Sequence, residues 1–282
     1  MKFVIGSVQF GINYGINNFC GIPSDAELRG ILHKAISNKI NIIDTAAAYG
    51  DAEFRLGQLS QGEFQFISKF PNVTRKENIY EHFLNSSKNL GTSLLYGYMA
   101  HNANVLIENP EYWHELVRLK LEKKVLKIGY SLYNPEQLDT LLSLGYVPDI
   151  VQFPYSLLDR KFETSFDKLK DLNTEIHVRS VFLQGLYFKN PSSLQGNLAT
   201  LNAPLTQLNE ISKLYSIPMA SLALSFVHYQ DNIDKVVIGV DSVKQLEENI
   251  AFISTNKNIH KAIHAIRNIK IINPELLNPS NW

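Results

Sequence analysis

The sequence lacks most of the features that assign a chain quickly. It holds a single cysteine, Cys20, in 282 residues, which excludes an internal disulfide framework and fits a reducing compartment. It has no excess of either charge. The 27 lysines and arginines balance 27 aspartates and glutamates, no block of one sign stands out, and nothing in the charge points to nucleic acid or a membrane surface. No apolar run approaches the roughly 20 residues of a membrane span. The N-terminal Met1-Lys-Phe-Val-Ile-Gly6 is too short and too interrupted for a signal peptide, so the expectation is cytoplasmic residence. No Gly-Xaa-Gly-Xaa-Xaa-Gly follows the first apolar run, which weighs against a Rossmann unit. No linker divides the chain, and one domain over 1–282 is expected, with no metal site.

What the chain does have is an alternation. Eight short apolar runs recur, at residues 3–10, 40–45, 64–70, 94–101, 126–132, 149–154, 175–182 and 235–240. Most are continuously apolar and rich in Val, Ile, Phe or Tyr, as parallel strands covered on both faces require. Helical patterns lie between them. Ser24-Asp-Ala-Glu27, Thr74-Arg-Lys-Glu77 and Ser242-Val-Lys-Gln245 have capping-box spacing. Asn134 precedes Pro135, a cap residue followed by proline at the first helical position. Residues 204–214 and 219–229 also read as helices. Alternation of this kind predicts an α/β fold, and eight units in 282 residues suit a single-domain (β/α)8 TIM barrel better than an open sheet. Residues 187–201 form the longest expected loop, either over the site or across the surface. Residues 273–282, with two prolines, are expected to form an extended arm.

In such a barrel the site lies at the C-terminal ends of the strands. The second run ends at Asp44, with Tyr49 in the loop beyond; the third ends in Lys69 and the fourth in His101. Singly, each is compatible with packing: Asp44 can cap the next helix, a strand-end lysine is commonly solvated, and a strand-end histidine often satisfies a local hydrogen bond. Together they bring a carboxylate, a phenol, an ammonium and an imidazole to successive strand ends around one mouth.

The stretch Asp44-Thr-Ala-Ala-Ala-Tyr49-Gly-Asp-Ala-Glu53 resembles the signature of the aldo-keto reductases, and Lys69 and His101 extend the resemblance in order. It implies a barrel enzyme that reduces an aldehyde or ketone with a nicotinamide cofactor. It implies Tyr49 as general acid, Lys69 as the cation beside it, Asp44 as the lysine's partner and His101 as the donor that orients the carbonyl. The chemistry is consistent. Free tyrosine, with a pKa of about 10, is a poor acid near neutrality, and a nearby ammonium would lower that value. A buried lysine needs a partner, and an incipient alkoxide is stabilised by hydrogen-bond donors.

The same resemblance implies a dinucleotide site along the later strands. Ser131, ending Lys127-Ile-Gly-Tyr-Ser131, and Gln152 would bind the carboxamide; Leu132 stands where many members carry asparagine. Arg179-Ser180-Val-Phe182-Leu-Gln184-Gly185 would supply the nicotinamide-stacking and pyrophosphate-binding segment, with a planar guanidinium where many members have an aromatic. Gly239, Ser242, Gln245 and Asn249 would hold the adenosine end. Family precedent points to NADPH. NADH is the alternative, because Lys244 is the only cation in that last motif and Asp241 does not favour a phosphate. Tyr14 and Phe19, with Tyr96 or Tyr98, offer an aromatic wall for a small-molecule carbonyl substrate. The Tyr14-Gly-Ile-Asn17 loop is similar to that of bacterial members encoded with surface-polysaccharide genes, which implies a keto-sugar or sugar nucleotide. The competing reading is a cofactor-binding regulatory or ligand-binding protein with little turnover, as in the potassium-channel β-subunits of the family.

Overall fold

The structure is a computed structural model that describes residues 1–16, 18, 21–253 and 257–282; Asn17, Phe19 and Cys20 lie outside the described residues. Eight parallel strands close into one barrel in chain order. They are β1 (Phe3–Gly6), β2 (Ile42–Asp44), β3 (Gln65–Phe70), β4 (Leu95–Ala100), β5 (Val125–Ser131), β6 (Ile150–Pro154), β7 (Glu175–Arg179) and β8 (Lys235–Gly239). Pairing of Gly6 with Gly239 closes the ring. Several strands stop short of their apolar runs. The first run is cut at Gly6, and Val8–Gly11 forms a short helix α1, because the Phe10 N–H turns back to the Ser7 carbonyl at 2.9 Å. The seventh stops at Arg179, where Ser180 takes a positive φ of 64° that no strand accommodates.

The helices that wrap the barrel are α2 (Asp25–Ser37), α3 (Ala52–Leu59), α4 (Glu77–Leu90), α5 (Asn104–Glu108), α6 (Glu111–Leu121), α7 (Pro135–Ser143), α8 (Phe166–Asp171), α9 (Asn202–Leu214), α10 (Met219–His228), α11 (Val243–Ala251) and α12 (Ile259–Arg267). Their start signals are only partly as the spacing suggests. Ser24 Oγ accepts from the Glu27 N–H at 3.2 Å, but the Glu27 carboxylate does not fold back. It reaches the Val243 N–H at 2.7 Å and so ties α2 to the start of α11. Thr74 caps nothing. Backbone turns from Asn78 to Arg75 and from Ile79 to Lys76 satisfy those donors, and α4 begins only at Glu77. At α7, Gln137 Oε1 accepts from the N–H groups of Tyr133 and Asn134, at 2.8 and 3.1 Å.

One apolar layer fills the space between strands and helices. A smaller one, Val4, Ile42, Ile67, Met99 and Ile150, packs inside the barrel. Full burial of each such side chain contributes about 1.5–3 kcal/mol. Gly129 allows β5 and β6 to meet, since a Cβ there would lie 1.7 Å from the Ile150 carbonyl oxygen. The C-terminal residues do not form an extended arm. Pro274–Leu277 and Pro279–Asn281 are 3-10 turns that bury Leu276 and Leu277, and the Trp282 indole donates to the Leu276 carbonyl at 2.7 Å. The expected loop at 187–201 is also mostly 3-10 turn. It is anchored by buried Tyr187, whose hydroxyl donates to Ser156 Oγ at 2.8 Å. No helix among the described residues is long and apolar enough to cross a membrane.

Candidate active site

The strand ends are held in register one step beyond the strands themselves. Thr45 N–H bonds the Ile67 carbonyl, Ala47 N–H the Lys69 carbonyl and His101 N–H the Phe70 carbonyl, at 2.8, 3.1 and 3.0 Å. This fixes the directions of Asp44, Lys69 and His101. Lys69 is fully buried, and its Nζ donates to Asp44 Oδ1 at 2.6 Å and to the Thr45 carbonyl at 2.9 Å. The other Asp44 oxygen accepts from Gln152 Nε2 at 2.8 Å, so both carboxylate oxygens are occupied. Behind this pair, Glu53 of the motif is buried and accepts from Ser68 Oγ at 2.5 Å.

Tyr49 is positioned by glycine contacts. A Cβ on Gly11 would lie 1.8 Å from the Tyr49 carbonyl oxygen, and one on Gly50 would lie 2.4 Å from that of Gly11. Gly50 also has a φ of 59°, which a glycine adopts without steric cost. The α1 backbone therefore lies directly on the turn that aims Tyr49. The Tyr49 ring meets His101 edge-on, with centroids 5.5 Å apart, and the Lys69 Nζ is 5.6 Å from its centroid. Among the described residues, neither the Tyr49 hydroxyl nor the His101 ring has a hydrogen-bond partner.

The electrostatics differ from the sequence expectation in one respect. Burial, and secondly the Asp44 carboxylate, push the Tyr49 pKa up rather than down. The Arg179 guanidinium opposes that rise, and the Lys69 ammonium is bonded to Asp44. Burial also lowers the Lys69 pKa, opposed by Asp44. His101 falls to about 4, through burial first and the Lys69 charge second, so its ring is neutral at ordinary pH.

A cavity of about 650 Å³ opens over these groups. Asp44, Tyr49, His101, Ser131, Gln152, Arg179, Ser180, Phe182, Gln184, Gly185, Gly239, Gln245 and Asn249 all line it. Two residues expected in the site do not line it. Lys69 lies behind Asp44, and Ser242 uses its hydroxyl to cap α11, accepting from the Gln245 N–H at 3.2 Å. Of the proposed aromatic wall, Tyr14 lines the cavity. Tyr98 does not: its hydroxyl donates to the Ile79 carbonyl in the layer outside the strands, at 3.1 Å. Tyr96 lies near the other end of the barrel and donates to Glu175 at 2.8 Å. Of residues 187–201, Phe188 alone reaches the described lining.

The sequence reading missed Ser7, Gln9 and Tyr133, which also line the cavity. Arg179 stacks over the Tyr133 ring at 4.6 Å. Gln9 lies against Gly239, where a Cβ would come within 2.4 Å of Gln9 Nε2. Among the described residues, the Ser7 hydroxyl and Gln9 Oε1 are buried without a partner. Beyond Arg179 the chain turns through positive φ at Ser180, Leu183, Gln184 and Gly185, a cost that backbones usually carry at binding sites. Gln184 Nε2 donates to the Tyr14 hydroxyl at 2.5 Å, joining the loops after β7 and β1.

Comparison with known proteins agrees with this architecture. The chain matches the Aldo/keto reductase family over residues 2–270. It belongs to that family. This aldo/keto reductase is therefore an oxidoreductase of the carbonyl-reducing class. It is 23% identical to L-glyceraldehyde 3-phosphate reductase of Escherichia coli K12, with 83% of this chain and 81% of the relative covered. The holo form of an aldo-keto reductase from Bacillus halodurans superposes with a TM-score of 0.77 at 21% identity, covering 94% of this chain and 91% of the other. Its apo form gives 0.74 at 22% identity over the same shares. At such identities the structural likeness concerns the fold.

Proposed function

We propose that this chain reduces an aldehyde or ketone with a nicotinamide dinucleotide, and that Tyr49 delivers the proton. The observation that carries the reading is the pair of unpartnered groups, the Tyr49 hydroxyl and the His101 ring, facing the same cavity above a fully buried Lys69–Asp44 pair. The cofactor fits the donor set on several counts. Ser131 and Gln152 are nearly buried polar groups on the cavity wall. The Ser7 hydroxyl and Gln9 Oε1 await partners, and Gly239, without a side chain, lets Gln9 lie against it on the cavity wall. Ser131 and Gln152 would hold the carboxamide, Arg179 the nicotinamide face, residues 180–185 the pyrophosphate, and Gly239, Gln245 and Asn249 the adenosine. When bound, the cofactor supplies hydride to the carbonyl carbon.

The chain's own residues do the rest. His101, neutral because burial and the Lys69 charge hold its pKa near 4, donates one hydrogen bond to the carbonyl oxygen and orients it. Tyr49 stays protonated until charge develops on that oxygen, because burial and Asp44 disfavour phenolate. An elevated phenol pKa is no obstacle. An alkoxide is about as basic as hydroxide, whose conjugate acid, water, has a pKa of about 15.7, so transfer from Tyr49 remains favourable. The Lys69 charge, 5.6 Å from the ring, stabilises the phenolate that results, and Asp44 keeps that ammonium in place. The substrate is a small carbonyl compound. The relative named for L-glyceraldehyde 3-phosphate makes a phosphorylated aldehyde one probe, and the loop resemblance makes a keto-sugar another.

The test is nucleotide oxidation over a panel of such carbonyls, alongside calorimetric titration with NADH and NADPH. Saturable binding and turnover of at least one carbonyl are expected. Failure of both nucleotides to bind below about millimolar, roughly 4 kcal/mol, would overturn the reading.

A further inference from the structure

Away from Tyr49, the cavity runs along one face of α11. Gln245, Glu248, Asn249 and Phe252 line it at helical spacing, with Asp241 just before the helix. Asn249 is only 7% exposed, and its side-chain amide has no partner among the described residues, so this limb is built to receive a polar ligand. Its charge is one-sided. Arg179 is the only lysine or arginine among the described lining residues, and it is stacked on Tyr133 and felt by Tyr49 and His101. The limb itself carries Asp241 and Glu248. Lys244 projects outward with 84% of its side chain exposed, and among the described residues it pairs only with Glu248, at 3.8 Å.

A helix N-terminus would ordinarily offset such carboxylates for an incoming phosphate. Here three backbone N–H groups at and just before its first turn are already used. Gln245 Oε1 takes the Asp241 N–H at 3.0 Å, Ser242 Oγ takes that of Gln245 at 3.2 Å, and the Glu27 carboxylate takes that of Val243 at 2.7 Å. One of the N–H groups an anion would take is therefore already held by the chain's own carboxylate, Glu27.

We propose that this limb selects the unphosphorylated ribose of NADH over the 2′-phosphate of NADPH, with Asp241 and Glu248 as the discriminating residues. The proposal rests on the nicotinamide reading above and departs from the family precedent for NADPH. A ribose hydroxyl can donate a charge-assisted hydrogen bond to a carboxylate. A phosphate monoester of charge about −1.5 to −2 meets two carboxylates there, against the single exposed ammonium of Lys244.

The experiment is equilibrium titration of the purified chain, without substrate, using NADH, NADPH, ADP-ribose and its 2′-phosphate. NADH and ADP-ribose should bind at least about 10-fold more tightly than their phosphorylated counterparts, equivalent to ~1.4 kcal/mol. The gap should narrow as salt rises and screens the repulsion. In Asp241→Asn/Glu248→Gln, which keeps shape and removes charge, the gap should largely close. NADPH binding as tightly as NADH to the wild type would overturn the proposal and leave the reductase reading standing. An undiminished gap in the double variant would overturn the assignment to these carboxylates. Failure of every nucleotide to bind would overturn both readings.

Discussion

The barrel holds two polar clusters built from the same four kinds of group, one near each end. At the C-terminal ends of the strands stand Lys69, Asp44, Tyr49 and His101. Toward the N-terminal ends stand Lys127, Glu175, Tyr96 and His177. In the second set everything converges on one carboxylate: Lys127 forms an ion pair with Glu175, Tyr96 donates to it at 2.8 Å, and His177 Nε2 lies 2.6 Å away. In the first set, Asp44 takes Lys69 and Gln152 and leaves the tyrosine and histidine unbonded toward a cavity. Residue types therefore do not distinguish a candidate active site from a structural cluster. What distinguishes them is which groups remain unsatisfied, and whether those groups face space that a ligand can enter.

The largest expected effect comes from treating the two lysines alike. Lys69→Met leaves Asp44 a buried carboxylate without its cation, a loss of about 3–5 kcal/mol for one partner of a buried pair, and reduction should collapse with it. Lys127, whose side chain is 29% exposed, can leave Glu175, itself 13% exposed, to Tyr96 and His177. Lys127→Met should cost no more than about 1 kcal/mol and leave turnover intact. Urea unfolding and steady-state rates of both variants check the contrast, and equal stability losses would erase it.

Next in size is Tyr49→Phe, which removes only a hydroxyl that bonds nothing among the described residues. Unfolding and nucleotide affinity should be unchanged, while reduction falls by about 100-fold or more, the range for a positioned general acid. Tyr96→Phe, at the other end, should do the reverse: a small loss of stability and no loss of rate. Unchanged turnover in Tyr49→Phe would move the proton donor elsewhere.

The sequence revealed these two clusters unequally, for a physical reason. Asp44, Lys69 and His101 are polar residues that end apolar runs, and a parallel barrel uses that boundary as its mouth. Ser7 and Gln9 obey the same rule after β1, but they sit inside a run that reads through to Phe10, because Val8 and Phe10 of helix α1 continue the apolar character of the strand before it. Tyr133 and the Gln9–Gly239 contact belong to loops brought together by barrel closure, which local pattern does not encode. The second cluster did leave a trace. Glu175, His177 and Arg179 alternate along β7, and that period of two places them on one face of the strand. The Thr74 box misled because its spacing was right while the backbone turn before α4 supplied the caps.

Arg179, at the opposite end of that same β7 row from Glu175, gives a smaller effect. Arg179→Ala should weaken nucleotide binding by about 10-fold, and an aromatic replacement should recover part of the loss. Calorimetric titration of the three proteins checks this. Equal affinities would separate Arg179 from the nucleotide without touching the role of Tyr49.

The smallest effect is confined to acid pH and belongs to Glu175. Burial pushes its carboxyl up, but hydrogen bonds and charge from His177, Lys127 and Tyr96 outweigh that and hold its pKa at about 2. In the unfolded chain it returns to about 4.3. A depressed carboxyl contributes stability that is fully present above the unfolded value and is lost as pH falls through the folded one. The wild type should therefore lose stability between about pH 4.3 and pH 2 more steeply than Glu175→Gln, which has no charge to lose. At neutral pH the variant should be the less stable of the two, because Lys127 and His177 lose an ionised partner, and its reduction rate should match the wild type. Urea midpoints at several pH values between these limits measure the slope. Parallel curves would mean that this end of the barrel is held by packing alone. A lowered rate in Glu175→Gln would mean that the two clusters communicate through the lumen.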